Sequence, residues 1–285
     1  MIITRIIGGL GNQMFQYAAG LALARRYHVP LKLDVRGYDE QKLRQFTLNH
    51  FQISAPVASH SELPRMAQTR SPFVRLFPRW YRPGGVKVFR DYLKGFDQTI
   101  FLQGGNVYLD GYWQSEQYFV DIAGVVRKEF QLRVPLDIEN EKMVEHMTKK
   151  PSVSLHVRRG DYVAHPVYAT CGIEYYHQAV EYIAARHRGI TLYVFSDDPP
   201  WVQAHIRTKV PTIYVTNNQG QNDYKDLIVM SRCQHHVIAN SSFSWWGAWL
   251  AETAGGIVIA PNTWYTDPSM DTSDLLPQRW ITLAP

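Results

Sequence analysis

The sequence predicts an α/β fold built on parallel sheets, and the order of its segments supports that class. Short apolar runs with strand-forming residues alternate with segments whose apolar residues recur at helical spacing, most regularly after residue 151. This alternation is typical of parallel strands joined by crossover helices that cover both faces of the sheet. The length of 285 residues is sufficient for two compact domains of about 130–150 residues each.

The first forty residues predict a strand, a glycine turn, a helix and a second strand. An apolar run at residues 1–7 ends in the glycines of residues 8–11, and residues 12–27 then carry apolar side chains at helical spacing. Residues 31–35 alternate between apolar and polar side chains, as in a strand. The pattern indicates one βαβ unit with a glycine turn at its first crossover.

The alternation continues after a less regular stretch at residues 36–105. We expect further strands at residues 107–110, 152–157, 191–195, 212–215, 235–239 and 256–261. We expect further helices at residues 116–130, 173–187, 201–207, 224–232 and 243–253. The proline-flanked stretch at residues 134–151 predicts the boundary between a domain of residues 1–150 and a domain of residues 151–285.

Composition narrows the class of protein without choosing a ligand. A hydrophobic content of 45% argues against a disordered chain, and the two cysteines, Cys171 and Cys233, do not indicate a disulfide framework. The net charge of +5 suits an anionic ligand, a nucleic acid or an acidic membrane surface. Because the sequence contains no run of about 20 apolar residues and no secretory signal, we expect a soluble, cytoplasmic protein.

A basic segment at residues 64–94 carries eight Arg or Lys against a single Asp, with aromatic side chains interleaved. A solvated connecting segment is one interpretation of this run. Contact with anionic lipid or with a phosphate-bearing acceptor is the other. The second interpretation would place the protein peripherally on the inner face of the membrane.

The candidate binding and catalytic residues lie mainly at three strand-to-helix turns. Parallel sheets bind phosphates and nucleotides at such turns. In the first, residues 8–13, Gly9 lets the backbone approach a ligand, and Asn12 and Gln13 can offer side-chain amides from a helix start. The order of the glycines is not that of a dinucleotide-binding motif. A tight turn with an Asn cap is the alternative interpretation.

The second turn, residues 156–161, reads His-Val-Arg-Arg-Gly-Asp and follows an apolar run. Arg binds phosphate through a planar pair of donors and keeps its charge near neutral pH. Asp161 is close enough in sequence to orient one of the two guanidinium groups or to act on a substrate proton. A surface salt bridge at a strand end is the alternative.

The third turn, residues 240–247, brings Ser241 and Ser242 to the predicted start of a helix, where their hydroxyls can hold an anion or cap the helix. Asp226, one helix earlier, can accept hydrogen bonds from the N–H donors of a guanine edge, or be an exposed acid beside Lys225. The sequence has no Asp-x-Asp pair and no His or Cys cluster with the spacing of a metal site. We therefore expect neither a metal ion nor a cofactor.

Together these segments resemble the α-1,2-fucosyltransferases, a glycosyltransferase family that includes bacterial O-antigen enzymes and animal blood-group enzymes. Four segments carry the resemblance in the family's order, at residues 8–18, 111–116, 156–163 and 241–251. The resemblance extends from residue 1 to about residue 265, and residues 60–105 have no counterpart in it.

The resemblance implies a GT-B-like architecture, with two Rossmann-like domains whose parallel sheets face a cleft and a C-terminal domain that holds the donor. It implies inverting, metal-independent transfer from GDP-β-L-fucose. The residues expected at the donor are Gly9, Asn12, Gln13, His156, Arg158, Asp226, Ser241, Ser242 and Phe243. The residues expected to act in catalysis are Arg158, Asp161 and Asn12.

The roles implied by the resemblance differ between these residues. Arg158 contacts the diphosphate, Asp226 reads guanine, and Asn12 reaches over the fucosyl group. Ser241, Ser242 and Phe243 touch phosphate and fucose. The catalytic base stays open, because Asp161 can instead orient Arg158, and His165 and Glu116 are the other candidates.

The expected function is transfer of L-fucose to the 2-hydroxyl of a galactoside, in the synthesis of O-antigen or another surface glycan. A transferase of the same fold with another donor, linkage or acceptor is the first alternative. A non-catalytic binder of nucleic acid or another anionic polymer is the second, although the sequence carries no RNA-binding signature. The expected partners are GDP-fucose and a galactose-terminated oligosaccharide or lipid-linked glycan, with no nucleic acid. The natural acceptor, the oligomeric state and the role of the basic segment are left open.

Overall fold

The computed structural model describes residues 1–39, 44–64, 86–91, 95–163, 167, 169–218, 220–251, 255–267 and 269–285. The side chain of Asp161, the residue His165 and most of the basic segment, at residues 65–85 and 92–94, lie outside this description. The chain divides into two compact units. The first comprises Met1–Arg133 with Asp271–Leu275, and the second comprises Val134–Met270 with Leu276–Pro285.

The first unit contains a sheet of parallel strands in the order β2-β1-β4-β3. Its strands are β1 (Ile2–Arg5), β2 (Leu31–Asp34), β3 (Lys87–Arg90) and β4 (Val107–Asp110). Its α-helices are α1 (Leu10–Arg26) and α2 (Ala123–Glu129). The predicted βαβ unit at the start of the chain is confirmed, and small and apolar residues let α1 be buried along almost its whole length.

Two predictions for the first unit differ from the structure. β3 lies within the basic segment, for which a solvated connecting stretch was one of two interpretations, and its residues Val88 and Phe89 are buried. The helix predicted at residues 116–130 is broken, because two short 3-10 turns precede α2 and the side chain of Ser115 accepts a hydrogen bond from the N–H of Gln117. Short polar caps of this kind compete with regular helix.

The second unit contains a larger parallel sheet in the order β10-β9-β8-β5-β6-β7. Its strands are β5 (Ser152–Val157), β6 (Thr191–Ser196), β7 (Thr212–Tyr214), β8 (His235–Val237), β9 (Val258–Pro261) and β10 (Ile281–Leu283). Its helices are α3 (Ile138–Lys149), α4 (Ile173–Ala184), α5 (Pro199–His205), α6 (Asp223–Met230) and α7 (Ser242–Leu250). Counted from β5, this is the 3-2-1-4-5-6 order of a doubly wound Rossmann sheet, which confirms the predicted α/β class.

The stretch at residues 134–151 contains helix α3 and is not a linker. The side chain of Asp137 accepts a hydrogen bond from the N–H of Asn140 at 3.0 Å and so caps the helix. Because α3 packs against α6, it belongs to the second unit, and the two units meet in the chain at Arg133–Val134 instead of residue 150. Among the described residues, no helix is both long and apolar enough to cross a membrane.

Candidate active site

Apart from Asp226, the candidate residues of the second unit lie at the carboxyl ends of β5 and β8, and Asp197 follows the neighbouring strand β6. The register pairs Leu155 of β5 with Val237 of β8, and Val157 of β5 with Ser196 of β6, so the following loops leave the sheet at one edge. From β5 the chain continues to β6 on one side of the sheet and later reaches β8 on the other. A reversal of this kind opens a crevice between the loops, and open α/β sheets bind their ligands there.

Arg158 is held at this edge by a carboxylate from the neighbouring strand. Its Nη1 lies 3.1 Å from Oδ2 of Asp197, and its guanidinium carbon lies 5.2 Å from the centre of the Tyr162 ring. The other oxygen of Asp197 accepts a hydrogen bond from the backbone N–H of Arg159 at 2.9 Å. Asp197 therefore fixes both the turn and the Arg158 side chain.

Arg159 is engaged differently from its neighbour. Its Nε lies 3.3 Å from Oδ2 of Asp198, and its guanidinium carbon lies 3.9 Å from the centre of the Trp201 ring on α5. Trp201 in turn stacks on His205, one helical turn further along. Arg159 is thus paired with a carboxylate and packed against α5, whereas Arg158 is paired with Asp197 beside Tyr162.

Asp197 has one of the two roles that the sequence left open for Asp161, the orientation of Arg158. A Cβ on Gly160 would lie 2.6 Å from Oδ2 of Asp197, so a larger residue there would have to displace that carboxylate or the turn. The backbone of Asp161 lies in the short 3-10 turn Gly160–Tyr162, but its side chain is outside the described part of the chain. Its role as a base stays a prediction. Glu116, another candidate base, lies in the first unit.

His156 is buried beside this turn in its neutral form. Its side chain packs against Phe243, with ring centres 5.5 Å apart. Burial and the nearby charge of Arg158 lower the pKa of His156 to about 4, although Asp197 opposes the shift. No described residue forms a hydrogen bond with its buried Nδ1.

The turn between β8 and α7 is held by several hydrogen bonds. Nδ2 of the buried Asn240 donates to the carbonyl oxygen of Trp264 at 2.9 Å and to that of Ala169. The hydroxyl of Ser241 accepts a hydrogen bond from the N–H of Phe243 at 3.3 Å and so caps α7. Ser242 and Phe243 are only half-buried. These two side chains are therefore better placed than Ser241 to touch a ligand.

Asp226 lies in the first turn of α6 and is half-buried. Its Oδ1 accepts a hydrogen bond from Nδ2 of Asn218 at 2.7 Å. Burial raises the pKa of Asp226 to about 7, the Asn218 hydrogen bond opposes the shift, and the charge of Asp223 adds to it. The carboxyl group therefore titrates near neutral pH, which is typical of functional sites.

The glycine turn of the first unit separates its two amide side chains. Gly8 has a φ of +80°, and a Cβ there would lie 2.9 Å from Nδ2 of Asn12, so glycine is required. Nothing lies within 4 Å of a Cβ built on Gly9, which leaves its backbone open to an approaching group. Oδ1 of Asn12 accepts a hydrogen bond from Nε2 of Gln114 at 2.8 Å.

Gln13 is fully buried, unlike its neighbour. Its Nε2 donates to the carbonyl oxygens of Gly8 and Gln45, and its Oε1 accepts from the N–H of Thr47. The sequence suggested that Gln13 offers its amide to a ligand. In the structure that amide instead ties the glycine turn to the chain at residues 45–47, so any effect of Gln13 on a ligand passes through the turn.

The second unit thus presents a fixed guanidinium, a neutral imidazole, a helix N-terminus and a titratable carboxyl at or near one sheet edge. Such an arrangement can bind an anion, and the N-terminus of α7 adds a favourable dipole. Within the described ranges, no group of three or more His, Cys, Asp and Glu side chains is arranged to hold a metal ion.

Comparison with known proteins agrees with the resemblance found in the sequence. An α-1,2-colitosyltransferase of Escherichia coli is 32% identical over 99% of both chains. The O-antigen biosynthesis glycosyltransferase WbnK of Escherichia coli is 31% identical over 97% of this chain and 98% of its own. The galactoside 2-α-L-fucosyltransferase SEC1 of Bos taurus is 25% identical, over 86% of this chain and 62% of its own.

Solved structures agree at the level of the fold. The α-1,6-fucosyltransferase NodZ of Bradyrhizobium, co-crystallised with GDP, matches with a TM-score of 0.53 and 18% identity over 87% of this chain and 91% of its own. This likeness supports the GT-B-like α/β class predicted from the sequence. The model of the family described as glycosyl transferase family 11 matches residues 1–284. The chain belongs to glycosyl transferase family 11, the family of the α-1,2-fucosyltransferases.

Proposed function

We propose that this glycosyltransferase transfers L-fucose from GDP-β-L-fucose to the 2-hydroxyl of a galactoside, with inversion and without a metal ion. The observation that carries the proposal is Arg158, held by Asp197 at the sheet edge where the strand order reverses. A nucleoside diphosphate carries its charge on the group that leaves, so a fixed cation at this edge would act directly on the reaction. NodZ, whose fold is similar, was crystallised with GDP.

The donor would be held by groups of different chemistry along this edge. The diphosphate would contact Arg158 and the N-terminus of α7, where Ser242 is half-buried. The carboxylate of Asp226 would accept hydrogen bonds from the N–H donors of guanine. Phe243, packed on the neutral ring of His156, would offer an apolar face to the sugar.

The chemistry would be a single displacement. The acceptor hydroxyl would attack the anomeric carbon from the side opposite the leaving GDP, through an oxocarbenium-like transition state. Arg158 would stabilise the charge that develops on the diphosphate. Because Asp197 already holds the guanidinium in place, no reorganisation of this side chain would be needed during the reaction. Asp161 is our candidate for the base that removes the hydroxyl proton, a contribution of about 10²–10⁴-fold where it operates.

A second donor has a specific observation in its favour. The colitosyltransferase of Escherichia coli is 32% identical over nearly the whole chain, whereas the galactoside fucosyltransferase of Bos taurus is 25% identical. Colitose is L-fucose without its 3-hydroxyl. A site that hydrogen-bonds this hydroxyl rejects the deoxy sugar by about 10⁴-fold, whereas an apolar site separates the two by only about 10–200-fold.

The test is transfer to lactose in EDTA, with GDP-fucose and GDP-colitose as competing donors and release of GDP as the readout. We expect transfer from GDP-fucose, with formation of an α-1,2 link. Arg158→Lys should keep only a small part of the activity, because an ammonium does not reproduce the guanidinium's paired donors. Arg158→Ala should be inactive.

Arg186→Ala is the matched control, because Arg186 is an arginine of the second unit that stacks on Tyr182 away from the sheet edge. It should transfer at the wild-type rate. Preferential use of GDP-colitose would replace the donor and keep the mechanism. Failure to bind GDP at all would reject the proposal.

We also propose that the protein works in O-antigen or other surface glycan synthesis, on a galactose-terminated oligosaccharide or lipid-linked glycan. WbnK, 31% identical, carries O-antigen biosynthesis in its name. A peripheral position on anionic membrane would bring the chain to a lipid-linked acceptor, and the basic segment at residues 64–94 is the sequence feature that suggests it. Equal sedimentation with neutral and with anionic liposomes would contradict the membrane contact.

A further inference from the structure

Two buried asparagines in the second unit form a hydrogen-bonded pair that ends on Asp226. Asn140, on α3, is fully buried, and Asn218, in the loop before α6, is 7% exposed. Nδ2 of Asn140 donates to Oδ1 of Asn218 at 2.9 Å, and Nδ2 of Asn218 donates back to Oδ1 of Asn140 at 2.7 Å. The second hydrogen of Asn218 Nδ2 is directed to Oδ1 of Asp226, at 2.7 Å. Neither asparagine belongs to any of the three turns that the sequence singled out.

The pair fixes which end of the Asn218 amide faces Asp226. Rotating that amide by 180° would place its oxygen against the oxygens of Asn140 and Asp226, and its NH₂ group against that of Asn140. Asn140 is itself oriented, because its Nδ2 also donates to both oxygens of Asp137 at 3.0 Å. Asn218 can therefore offer Asp226 only a donor, and such a bond favours the ionised carboxylate.

The partner of Asp226 in this network is an uncharged amide, because the neighbouring cationic side chain is paired elsewhere. Lys225, the residue before Asp226, lies 2.9 Å from Oδ2 of Asp137 and so pairs with the far end of the network. Asp223, one turn earlier on α6, raises the pKa of Asp226, and helix α7 contributes no charged residue to this side. The amide of Asn218 is the one polar side chain, among those described, that donates to Asp226.

We propose that Asn218, locked by Asn140, is a positioning residue that presents Asp226 as an ionised acceptor to the base of the nucleotide and makes base selection depend on pH. This rests on the proposed use of a guanine nucleotide. Ionised Asp226 accepts from the N–H donors of guanine, whereas protonated Asp226 can donate to N1 of adenine. The burial that holds the pKa of Asp226 near 7 places the change within the physiological range.

The experiment measures the dissociation constants of GDP and ADP by calorimetry between pH 5.5 and 8.5, and follows the ratio of the two. Ionisation of the diphosphate and of its cationic partners affects both nucleotides and largely cancels in this ratio. In the wild type, the preference for GDP should fall by up to about tenfold per pH unit below a midpoint near 7. Asp226→Asn should remove the pH dependence of the ratio.

Asn218→Ala should move the midpoint to higher pH and reduce the preference for GDP by about tenfold at pH 7, because a hydrogen bond to a charged group is lost. Asn217→Ala is the matched control. Asn217 also donates to Oδ1 of Asn140, at 3.2 Å, but forms no hydrogen bond with Asp226 within the described part of the chain, so the midpoint of the Asn217 variant should equal that of the wild type. If Asn218→Ala does not fold, Asn218→Asp tests the same point with an unchanged shape and no amide donor, and its midpoint should also rise.

The outcomes separate this inference from the function on which it rests. A wild type that prefers GDP, together with an Asn218 variant that keeps the wild-type midpoint and preference, overturns the positioning role and leaves the proposed function intact. A wild type with no preference for GDP over ADP at any pH overturns both. A midpoint that moves equally in the Asn217 and Asn218 variants indicates general loosening of the loop and also overturns the inference.

Discussion

The two sheets of this protein differ in the buried titratable groups that lie at or near their carboxyl edges. In the first unit, Asp110 at the end of β4 pairs with Arg5 at 2.9 Å and with Arg90 at 3.1 Å. Asp34, at the end of β2, is buried, yet hydrogen bonds from Arg36 and Tyr108 lower its pKa below the usual value. Both carboxylates are paired with side chains of the same unit.

In the second unit, the burial of His156 and Asp226 favours their uncharged forms. Burial lowers the pKa of His156 to about 4 and raises that of Asp226 to about 7. Nδ1 of His156 has no partner among the described residues, in contrast to the saturated carboxylate of Asp34. Both edges therefore contain ion pairs, but the second also holds buried titratable groups whose uncharged forms are favoured, as is typical of functional sites.

The largest effect we expect is on the rate of transfer in Asp197→Asn. Loss of the carboxylate releases Arg158, and a displacement of about 1 Å in a catalytic group can cost roughly 100-fold. Measured kcat should fall by about that factor at temperatures where the variant is fully folded. Asp267→Asn, an exposed carboxylate of the same unit, should behave as the wild type. An unchanged kcat in Asp197→Asn would show that the Arg158–Asp197 pair at the second edge is not needed for transfer.

Asp110→Asn should lower the stability of the fold, in contrast to Asp197→Asn, which should lower the rate of transfer. It leaves Arg5 and Arg90 without their carboxylate in a partly buried position, which should destabilise the protein by about 1–2 kcal/mol after allowance for solvent screening. Denaturant unfolding measures the change. Glu145→Gln, which breaks the exposed Glu145–Lys149 pair, should cause no measurable change. Equal stability of the two variants would show that the edge of the first unit is not held by its ion pairs.

Gly160→Ala tests whether the position of the Asp197 carboxylate matters for activity. The added methyl would lie 2.6 Å from Oδ2 of Asp197, so either the turn or the carboxylate must move. Overpacking of this kind typically costs about 1–3 kcal/mol, and we expect a loss of about tenfold in kcat. Gly124→Ala, where nothing lies within 4 Å of the new methyl, should transfer normally. Full activity in Gly160→Ala would mean that Arg158 does not depend on the position of Asp197.

The last expected effect is a pH-dependent gain in stability in Asp226→Asn. Because the pKa of Asp226 is raised in the folded state, the folded protein binds more protons than the unfolded chain between about pH 4 and pH 7. Stability is therefore lost as the pH rises through that window, and removing the carboxyl should restore it at pH 8 but not at pH 4. Calorimetry should show a rise of about 2–4 °C in Tm for each kcal/mol restored. A uniform shift at both pH values would contradict the raised pKa.

The sequence predicted those features that depend on local pattern. The alternation of strands and helices after residue 151 follows from side-chain periodicity, and so does the position of the turn that carries Arg158. Helix α3 was missed because only Asn140 and Met147 on it are buried, which leaves no apolar periodicity to detect. Its Asp137 cap was the available signal.

The partners within the site depend on pairings between distant parts of the chain. Asp197 follows Arg158 by 39 residues in the sequence, and only the register of β5 with β6 brings the two together. The sequence Ser-Asp-Asp at the end of β6 indicated a polar strand end, but it did not indicate that Asp197 would pair with Arg158. The burial of Gln13 was also hidden, because its position depends on contacts with residues 45–47.

The return of Asp271–Leu275 to the first unit has a consequence for the synthesis and engineering of the chain. Asp274 accepts hydrogen bonds from the N–H of Phe96 at 3.1 Å and from Nε2 of Gln117 at 2.7 Å, so it helps to close a unit that begins at the opposite end of the sequence. A ribosome therefore delivers the last piece of the first unit only after most of the second has been made. A chimera that exchanges one unit between related transferases has to carry residues 271–275 with the first unit, and needs three junctions instead of one.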